Sequence, residues 1–226
     1  MQYNISKEIT KRIITSFFLI FLLILMHFYA FILIISLIII AIISWIEFYA
    51  IISKIIKQNN KKSIMLRFFY KAISLLYLFG LIYFIIIAKL SNPELELIII
   101  YIILISIMSD IGGLIVGRKL KGKKLTKISP KKTISGSMGS FIFALFLVPF
   151  FVKYFTTYEY FVLILITLFV SFVSQGGDLF ISFLKRKAKI KDTSDLLPGH
   201  GGFLDRIDGI IFAIPAGLLL FTLLQS

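Results

Sequence analysis

Residues 13–52 read IITSFFLIFLLILMHFYAFILIISLIIIAIISWIEFYAII, and this apolar stretch decides the fold. A membrane-spanning helix needs about 20 mostly apolar residues, so the stretch is long enough for two such helices. It is also too long to be the apolar part of a secretory signal peptide. His27 and Tyr29 mark the expected turn between the two helices, and polar residues become frequent again only from Lys54 onwards.

Further apolar runs indicate further spans. The chain of 226 residues is 59% hydrophobic and 16% charged, whereas soluble domains are roughly 45–50% apolar. More spans are expected over 67–88, 95–116 and 137–152, from residue 161 onwards, and over 207–224. We therefore predict an all-α integral membrane protein, a polytopic bundle of about seven transmembrane helices whose pattern also admits eight or nine. Within this single domain of residues 1–226, hydrophobic spans fill 1–105, the candidate catalytic motifs lie in 106–208 and the last helix covers 207–224.

The basic residues predict the orientation of the chain in the membrane. There are 25 Lys and Arg against 11 Asp and Glu, a net charge of +14, and the cations lie in short segments between apolar runs. If the N-terminus is cytoplasmic, only Lys89 and Lys153 fall on the opposite side, as the positive-inside rule requires. Anionic lipid head groups or phosphorylated substrates are then the expected partners, and nucleic acid is not.

The residue types exclude several chemistries. The chain has no cysteine, and its two histidines are His27 and His200. A disulfide, a thiolate nucleophile and a zinc site built from cysteines or several histidines are therefore excluded.

A polar interruption occurs within the sixth apolar run, where residues 174–178 read SQGGD. Irregular backbone at membrane depth is tolerated only where it is buried in protein or lines a cavity. We therefore expect the helix to bend or break here. The two glycines would let a ligand approach the backbone closely.

Four aspartates lie in or beside apolar runs: Asp110, Asp178, Asp205 and Asp208. A carboxylate at the centre of a membrane helix costs about 2.5–3.5 kcal/mol on insertion scales, which makes a functional role the first hypothesis. The alternative is an interfacial position, hydrated or paired with a basic residue, and for Asp110 both interpretations stand. For Asp178 the adjacent glycines favour a functional site.

Helical spacing relates these carboxylates to other groups. Asp178, Ser182 and Lys185 are at i, i+4 and i+7, which places them on one helix face. Asp205 and Asp208, at i and i+3, share another face at the start of the last span. Because Mg²⁺ binds through one or two carboxylates plus substrate phosphates, these aspartates suit Mg²⁺ with a polyphosphate. Interfacial salt bridges explain the spacing equally well.

Two loops carry candidate phosphate ligands. Residues 198–202 read PGHGG before an expected helix, whose N-terminal N–H groups and dipole suit phosphate. His200 in this loop could donate to phosphate, act as an acid or base, or cap the turn. Residues 129–133 read SPKKT, which is either a phosphate clamp or an ordinary positive-inside loop.

The stretch 182–208 reads SFLKRKAKIKDTSDLLPGHGGFLDRID. It resembles, through its whole length, the signature of the phosphatidate cytidylyltransferases, also called CDP-diacylglycerol synthases. The family pattern is met at Ser182, Lys185, Arg186, Lys191, Asp192, Pro198, His200, Gly201, Gly202, Asp205, Arg206 and Asp208. The segments 174–178 and 129–133, and Asp110 with Gly117 and Arg118, are similar to further motifs of that family.

The resemblance implies an enzyme that transfers CMP from CTP to phosphatidic acid at a lipid bilayer and releases pyrophosphate. It implies Mg²⁺ bound by Asp178 and Asp205 with Asp208 in support, and it admits a monovalent cation such as K⁺. Phosphate neutralisation is expected from Lys185, Arg186, Lys191 and Arg206, and hydrogen bonds to phosphate from Ser182 and His200. Further phosphate contacts are expected from Arg118, Ser129, Lys131, Lys132, Thr133, Gly201 and Gly202, with Asp192 counted among the catalytic residues.

One position departs from the family pattern, and two alternative functions stay open. Where the family commonly has an aromatic residue, Glu and Gly, this chain has Ile134, Ser135 and Gly136, so Ser135 replaces a carboxylate. A related cytidylyltransferase or kinase could act on another membrane lipid. A transporter would instead be expected to show inverted repeats and charges lining a path from both sides.

Location and assembly follow from the same features. The charge pattern and the resemblance predict a bacterial inner membrane, with the active site facing the cytoplasm. Small residues allow close helix packing, including the packing of two copies as a homodimer. They are Gly112, Gly113, Gly136, Gly139 and Ala144.

Overall fold

The computed structural model describes residues 2–198 and 201–225 of the chain. Over these residues the regular secondary structure is helical, with two isolated β-bridges in loops. The helices are α1 (Gln2–Phe28), α2 (Ala30–Ile55), α3 (Lys61–Ser91), α4 (Pro93–Leu120), α5 (Ile134–Leu145), α6 (Val148–Phe151), α7 (Tyr160–Lys187), α8 (Leu204–Ile207) and α9 (Ile210–Gln225). The predicted site residue His200 lies outside the described residues.

Six helical segments of the described chain are long and apolar enough to cross a membrane. They are Ala30–Ile55, Lys61–Ser91, Pro93–Leu120, Ile134–Phe151, Tyr160–Lys187 and Leu204–Leu224. A shorter apolar segment, Ile14–Phe28, forms the second half of α1. The predicted fold class is therefore confirmed: the chain is an all-α, polytopic integral membrane protein.

Local residues set the helix ends. Tyr29, in an extended conformation with φ −119° and ψ 104°, separates α1 from α2 at the predicted turn. Asn60 Oδ1 accepts from Ser63 N–H at 2.9 Å at the start of α3, and Asn92 Oδ1 accepts from Leu95 N–H at 3.2 Å at the start of α4. Such side-chain acceptors satisfy N–H groups that have no partner in the first helical turn.

The chain forms two compact units. The first contains the residues up to Ser91 together with Leu184–Ile207, and the second contains Asn92–Phe183 together with the residues from Asp208 onwards. In the first unit α2 packs against α1, α3 and α8, and in the second unit α4 packs against α5 and α9. Segments distant in sequence therefore complete each unit.

An aromatic cluster occupies part of the core of the second unit. Tyr101 of α4 is completely buried, and its ring centroid lies 4.6 Å from that of Phe151 and 5.3 Å from that of Phe155. Its hydroxyl is 2.6 Å from the hydroxyl of Thr167 in α7. Aromatic pairs contribute about 0.5–1.5 kcal/mol beyond their burial, so the cluster fastens α4 to α6 and the turn after it, and the hydrogen bond links α4 to α7.

Helix α7 runs through residues 174–178 without interruption, so the predicted break into a separate helix is wrong. Two of the polar side chains find partners inside the second unit: Gln175 Oε1 accepts from the Ser137 hydroxyl at 2.6 Å, and Asp178 pairs with Lys132. A Cβ on Gly177 would lie 2.7 Å from the carbonyl oxygen of Asp208, so this glycine allows a close helix contact. That packing offsets the roughly 1 kcal/mol that glycine costs inside a helix.

Helices α4 and α5 cross closely because small residues face each other. A Cβ on Gly112 would lie 2.5 Å from the carbonyl oxygen of Gly139. A Cβ on Gly139 would lie 2.5 Å from Cβ of Val116. These predicted small residues are thus used for packing within the chain, and the pairing of two copies stays a prediction.

Replacing Gly139 by alanine is expected to destabilise the protein, because overpacking a close contact costs about 1–3 kcal/mol. Gly80→Ala is the matched control, since nothing lies within 4 Å of a Cβ at that position of α3. Thermal unfolding in detergent should give a lower midpoint for Gly139→Ala and an unchanged or slightly higher one for Gly80→Ala. Equal midpoints for the two variants would contradict the close crossing.

Candidate functional site

Residues 121–133, between α4 and α5 in the second unit, form a closed loop that we call the basic loop. Leu125 N–H donates to the carbonyl oxygen of Lys132 at 2.8 Å, and Ile134 N–H donates to that of Lys123 at 3.0 Å. The two ends of the loop therefore pair as in a short hairpin. This pairing holds Lys132 at a defined place, whereas an ordinary solvated loop would leave it mobile.

Lys132 of the basic loop forms an ion pair with Asp178 of α7, and the two side chains are 28% and 25% exposed. Ser182 donates to the other oxygen of the same carboxylate, Oδ1, at 3.3 Å. The i, i+4 relation predicted for Asp178 and Ser182 is thus a direct contact. A carboxylate, an ammonium group and a hydroxyl therefore converge at one partly open place in the second unit.

Ser135, at the position that departs from the family pattern, closes the base of the basic loop. Its hydroxyl donates to the carbonyl oxygen of Lys121, which is the C-cap residue of α4. Thr133 caps α5 by accepting from Gly136 N–H at 3.0 Å, and its hydroxyl lies 3.0 Å from that of Ser135. The two hydroxyls together link the end of α4 to the start of α5.

Asp205 is the centre of a separate cluster in the first unit. Its Oδ1 lies 2.5 Å from Nζ of Lys185, and the two side chains are 4% and 12% exposed, respectively. Its Oδ2 accepts from Thr193 N–H at 2.8 Å, from the Thr193 hydroxyl at 3.0 Å and from Gly202 N–H at 3.1 Å. One carboxylate thereby links Thr193 to Gly202 in the described segments 188–198 and 201–203, which we call the signature loop.

Glu47 of α2 is also part of this cluster, although it was not among the predicted site residues. It is 3% exposed, and it accepts hydrogen bonds from the hydroxyls of Thr193 and Ser194 and from the N–H groups of Phe203 and Leu204. The signal that could have found it is a carboxylate inside an apolar span, which is a functional hypothesis by default.

Asp208 lies in the turn between α8 and α9, at the start of the second unit's last segment. It is 6% exposed, and its Oδ1 accepts from Gly209 N–H at 2.9 Å. Because this turn interrupts the helix, the prediction that Asp205 and Asp208 share one helical face is wrong. A short polar side chain that bonds to the nearby backbone favours such a turn over a continuous helix.

The other predicted cationic residues are at the surface. Exposed side chains in the described chain include Arg118, Lys131, Arg186, Lys191 and Arg206, and the carboxylates of Asp110 and Asp192 are exposed too. Ser129 is partly buried, and Gly201 has a left-handed φ of 81°. Long exposed cations can reach an anion that binds beside them, which is the role expected of them.

The carboxylates differ in how well they suit a metal ion. Among the described residues no three His, Cys, Asp or Glu side chains group as a ready metal site. Mg²⁺ commonly uses one or two protein carboxylates and takes its other ligands from water and substrate phosphates. The partly open carboxylate of Asp178 fits that use, whereas Asp205 already engages both oxygens in four polar contacts.

Comparison with known proteins identifies the family. A model of the cytidylyltransferase family matches residues 2–224. The chain belongs to the cytidylyltransferase family. The match extends over α1 and α2, so Glu47, which lies in α2, is inside the region that this cytidylyltransferase family shares.

Individual relatives carry a more specific name. The phosphatidate cytidylyltransferase of Bacillus subtilis (strain 168) is 42% identical over 135 residues, which is 59% of this chain and 50% of the relative. That of Staphylococcus aureus (strain COL) is 41% identical over 131 residues, 57% of this chain and 49% of the relative. That of Rickettsia felis is 42% identical over 116 residues, 47% of this chain and 50% of the relative. The chain spans about half the length of the curated relatives it matches.

Asp178→Asn and Asp205→Asn are expected to affect stability differently. Asp205→Asn leaves the ammonium group of Lys185 buried without its ion pair, which costs about 3–5 kcal/mol. Asp178→Asn removes a partly exposed pair and should cost about 1 kcal/mol or less. Thermal unfolding in detergent measures both, with Asp195→Asn, an exposed position of the signature loop, as control. Equal losses for the first two variants would contradict the burial difference.

Proposed function

We propose that this chain is a phosphatidate cytidylyltransferase that transfers CMP from CTP to phosphatidic acid. The observation that carries the proposal is the ion pair between Lys132 of the basic loop and Asp178 of α7, with Ser182 on the same carboxylate. It joins two motifs that are far apart in sequence and gives them the charges that a phosphate-transfer site needs. The names of the relatives supply the substrates.

In the proposed reaction an oxygen of the phosphatidic acid phosphate attacks the α-phosphorus of CTP. A new P–O bond forms to the lipid phosphate, the bond to the β-phosphate breaks, and pyrophosphate leaves with that bonding pair. CDP-diacylglycerol is the other product. Phosphoryl and nucleotidyl transfer require little covalent chemistry from the protein, so positioning and charge neutralisation are its main contributions.

The residues of the second unit are assigned as follows. Lys132 neutralises phosphate charge from a defined position, because the basic loop is hydrogen-bonded at both ends. Lys131 and Arg118, both exposed, provide further positive charge for the nucleotide or lipid phosphate. Asp178 would hold Mg²⁺, which supplies charge neutralisation at the phosphates when bound, and Ser182 orients that carboxylate.

The first unit carries further candidate phosphate ligands, in the end of α7, in the signature loop and in α8. Lys185, held against Asp205, and the exposed Arg186, Lys191 and Arg206 would neutralise phosphate oxygens. We infer that Asp205 in the first unit and Asp208 in the second also support cation binding, and that assays should include K⁺ beside Mg²⁺. The proposal places the site at the cytoplasmic face of a bacterial inner membrane, where the positive-inside pattern puts these segments.

The proposal is tested by following label from CTP into lipid. Purified protein in detergent with Mg²⁺ and phosphatidic acid receives CTP labelled either at the α- or at the γ-phosphate. Label from the α-position alone should enter the lipid fraction, and EDTA should abolish the transfer. Asp178→Asn should reduce the rate by about 100-fold or more, the size typical for losing a charge-stabilising group, and Asp195→Asn should behave as wild type.

Other outcomes of the same assay would indicate one of the alternative functions. Label from the γ-position in the lipid would indicate a kinase. Transfer to an ether-lipid phosphate but not to phosphatidic acid would indicate a related cytidylyltransferase. A folded wild-type protein that transfers neither label to any of these lipids would overturn the proposal and return a transporter to consideration.

A further inference from the structure

Glu47 is a carboxylate placed where lipid surrounds most of its helix. It lies eight residues before the end of α2, which is about 12 Å of helix, and only 3% of its surface is exposed. A charged group inside a spanning segment is costly unless the protein supplies hydrogen-bond donors. A leucine at this position of an apolar helix would avoid that cost.

The donors all come from the signature loop and the start of α8. Phe203 and Leu204 give backbone N–H groups at 3.2 and 2.8 Å, and Thr193 gives its hydroxyl at 2.9 Å. Ser194 gives a second hydroxyl. One carboxylate therefore binds the beginning and the end of the segment 193–204, and it caps α8 from another helix.

Thr193 connects Glu47 to Asp205. Its hydroxyl lies 2.9 Å from Oε2 of Glu47 and 3.0 Å from Oδ2 of Asp205, and it has a single hydrogen to give. The positions of the two carboxylates are therefore coupled through this side chain. Gly202 shows how tightly the segment is closed, since a Cβ there would lie 2.0 Å from Oγ1 of Thr193 and 2.4 Å from Oε1 of Glu47.

We propose that Glu47 is a positioning residue for the phosphate-transfer reaction. It fixes residues 193–194 and 203–204 and, through Thr193, the orientation of the Asp205 carboxylate and its partner Lys185. This inference rests on the proposed function. A purely structural role would affect only the stability of the fold, whereas a positioning role also changes kcat and the Mg²⁺ requirement.

The kinetic test uses Glu47→Gln, which keeps the size of the side chain and removes one of its acceptors. The expected result is a kcat lower by about 10–100-fold, the range found when a residue that orients a metal ligand is replaced. The apparent Mg²⁺ requirement should rise, and the KM for phosphatidic acid should stay within about twofold of wild type. Thr193→Val should lower kcat as well, and the double variant should be no worse than the poorer single variant, since both act through one contact.

Tyr101→Phe is the matched structural control. It removes one buried hydrogen bond, to Thr167, in the other unit. It should lower the unfolding midpoint and leave kcat and the Mg²⁺ requirement unchanged. Additive effects of Glu47→Gln and Thr193→Val, or a kcat change in Tyr101→Phe equal to that in Glu47→Gln, would overturn the proposal.

A measurement that does not depend on enzyme activity tests this inference separately from the proposed function. The sequence has no cysteine, so a nitroxide on Asp195→Cys reports the motion of the signature loop alone. In otherwise wild-type protein the spectrum should show an immobilised loop, and adding Glu47→Gln should make it mobile. Identical spectra would refute the positioning role even if CMP transfer were never detected, and a mobile loop in an inactive protein would refute only the reaction.

A second observation, independent of Glu47, concerns a cavity of about 490 Å³ in the first unit. Its lining includes Lys54, Lys57, Gln58, Ser63, Lys187 and Lys189. Four lysines thus line one cavity, and none of the other lining residues is acidic. The last two lysines fall between the matched positions of the family signature, so the pattern of that signature does not account for them.

The backbone at Lys189 supports a role for its side chain. Ile190 N–H donates to the Lys185 carbonyl at 3.0 Å and Lys189 N–H to the Arg186 carbonyl at 3.1 Å, the two bonds of a Schellman ending of α7. Lys189 has a φ of 57° at the position where glycine is usual. A side chain in this left-handed conformation costs about 1–2 kcal/mol, and here that side chain brings a fourth charge to the cavity.

We also propose that this cavity binds the phosphate of an anionic lipid head group. It lies at the ends of the apolar helices α2 and α7, on the side predicted to be cytoplasmic, where anionic lipids attract basic clusters by about 1 kcal/mol per residue. The ligand chemistry is a phosphate diester on a membrane lipid. The alternative role of these lysines is to balance the dipoles at the C-terminal ends of α2 and α7.

Ligand-dependent stabilisation distinguishes the two roles, because a ligand that binds the folded state raises the unfolding midpoint. Phosphatidylglycerol added to micelles should raise the midpoint of wild type, and phosphatidylcholine should not. Lys187→Gln/Lys189→Gln should lose most of this rise, and Lys61→Gln/Lys62→Gln, which removes equal charge from exposed positions outside the lining, should keep it. Equal rises in both double variants would overturn the lipid site, and a rise with inorganic phosphate alone would assign it to a free anion.

Discussion

A carboxylate inside an apolar helix must find its hydrogen-bond donors within the protein, because lipid offers none. Glu47 and Asp205 meet this constraint with the same segment of chain, and that shared set of donors gives the signature loop its shape. Thr15 of α1 adds a hydrogen bond to the carbonyl oxygen of Pro198 at 3.1 Å. The loop at the heart of the first unit is thus held by helices that sequence alone describes only as apolar spans.

In the second unit a carboxylate is stabilised by a cation. Its basic loop is closed by backbone hydrogen bonds, and the ammonium group of Lys132 contacts the Asp178 carboxylate on the continuous helix α7. The two units therefore present different kinds of carboxylate. Asp178 is partly open and can change partners, whereas Asp205 is enclosed and keeps a loop in place.

The sequence predicted what short-range patterns determine. Hydropathy located the apolar helices and the turn at Tyr29, and the signature motifs selected Asp178, Lys132 and Asp205. The continuity of α7 was missed because the hydrogen bond of Gln175 to Ser137 and the close contact at Gly177 involve residues distant in sequence. Glu47 was missed because one of its hydrogen-bond donors, Thr193, is 146 positions away in sequence. No spacing rule relates two residues that distant.

That separation has a consequence for how the protein is made. The ribosome delivers α2 to the membrane long before the segment that satisfies its carboxylate exists. Until Leu204 has been synthesised, Glu47 has to remain at the water interface or in contact with the insertion machinery, since hydrocarbon would leave it unpaired. The first unit can therefore be completed only after residues 203 and 204 have been synthesised, although its helices α1 and α2 are made first.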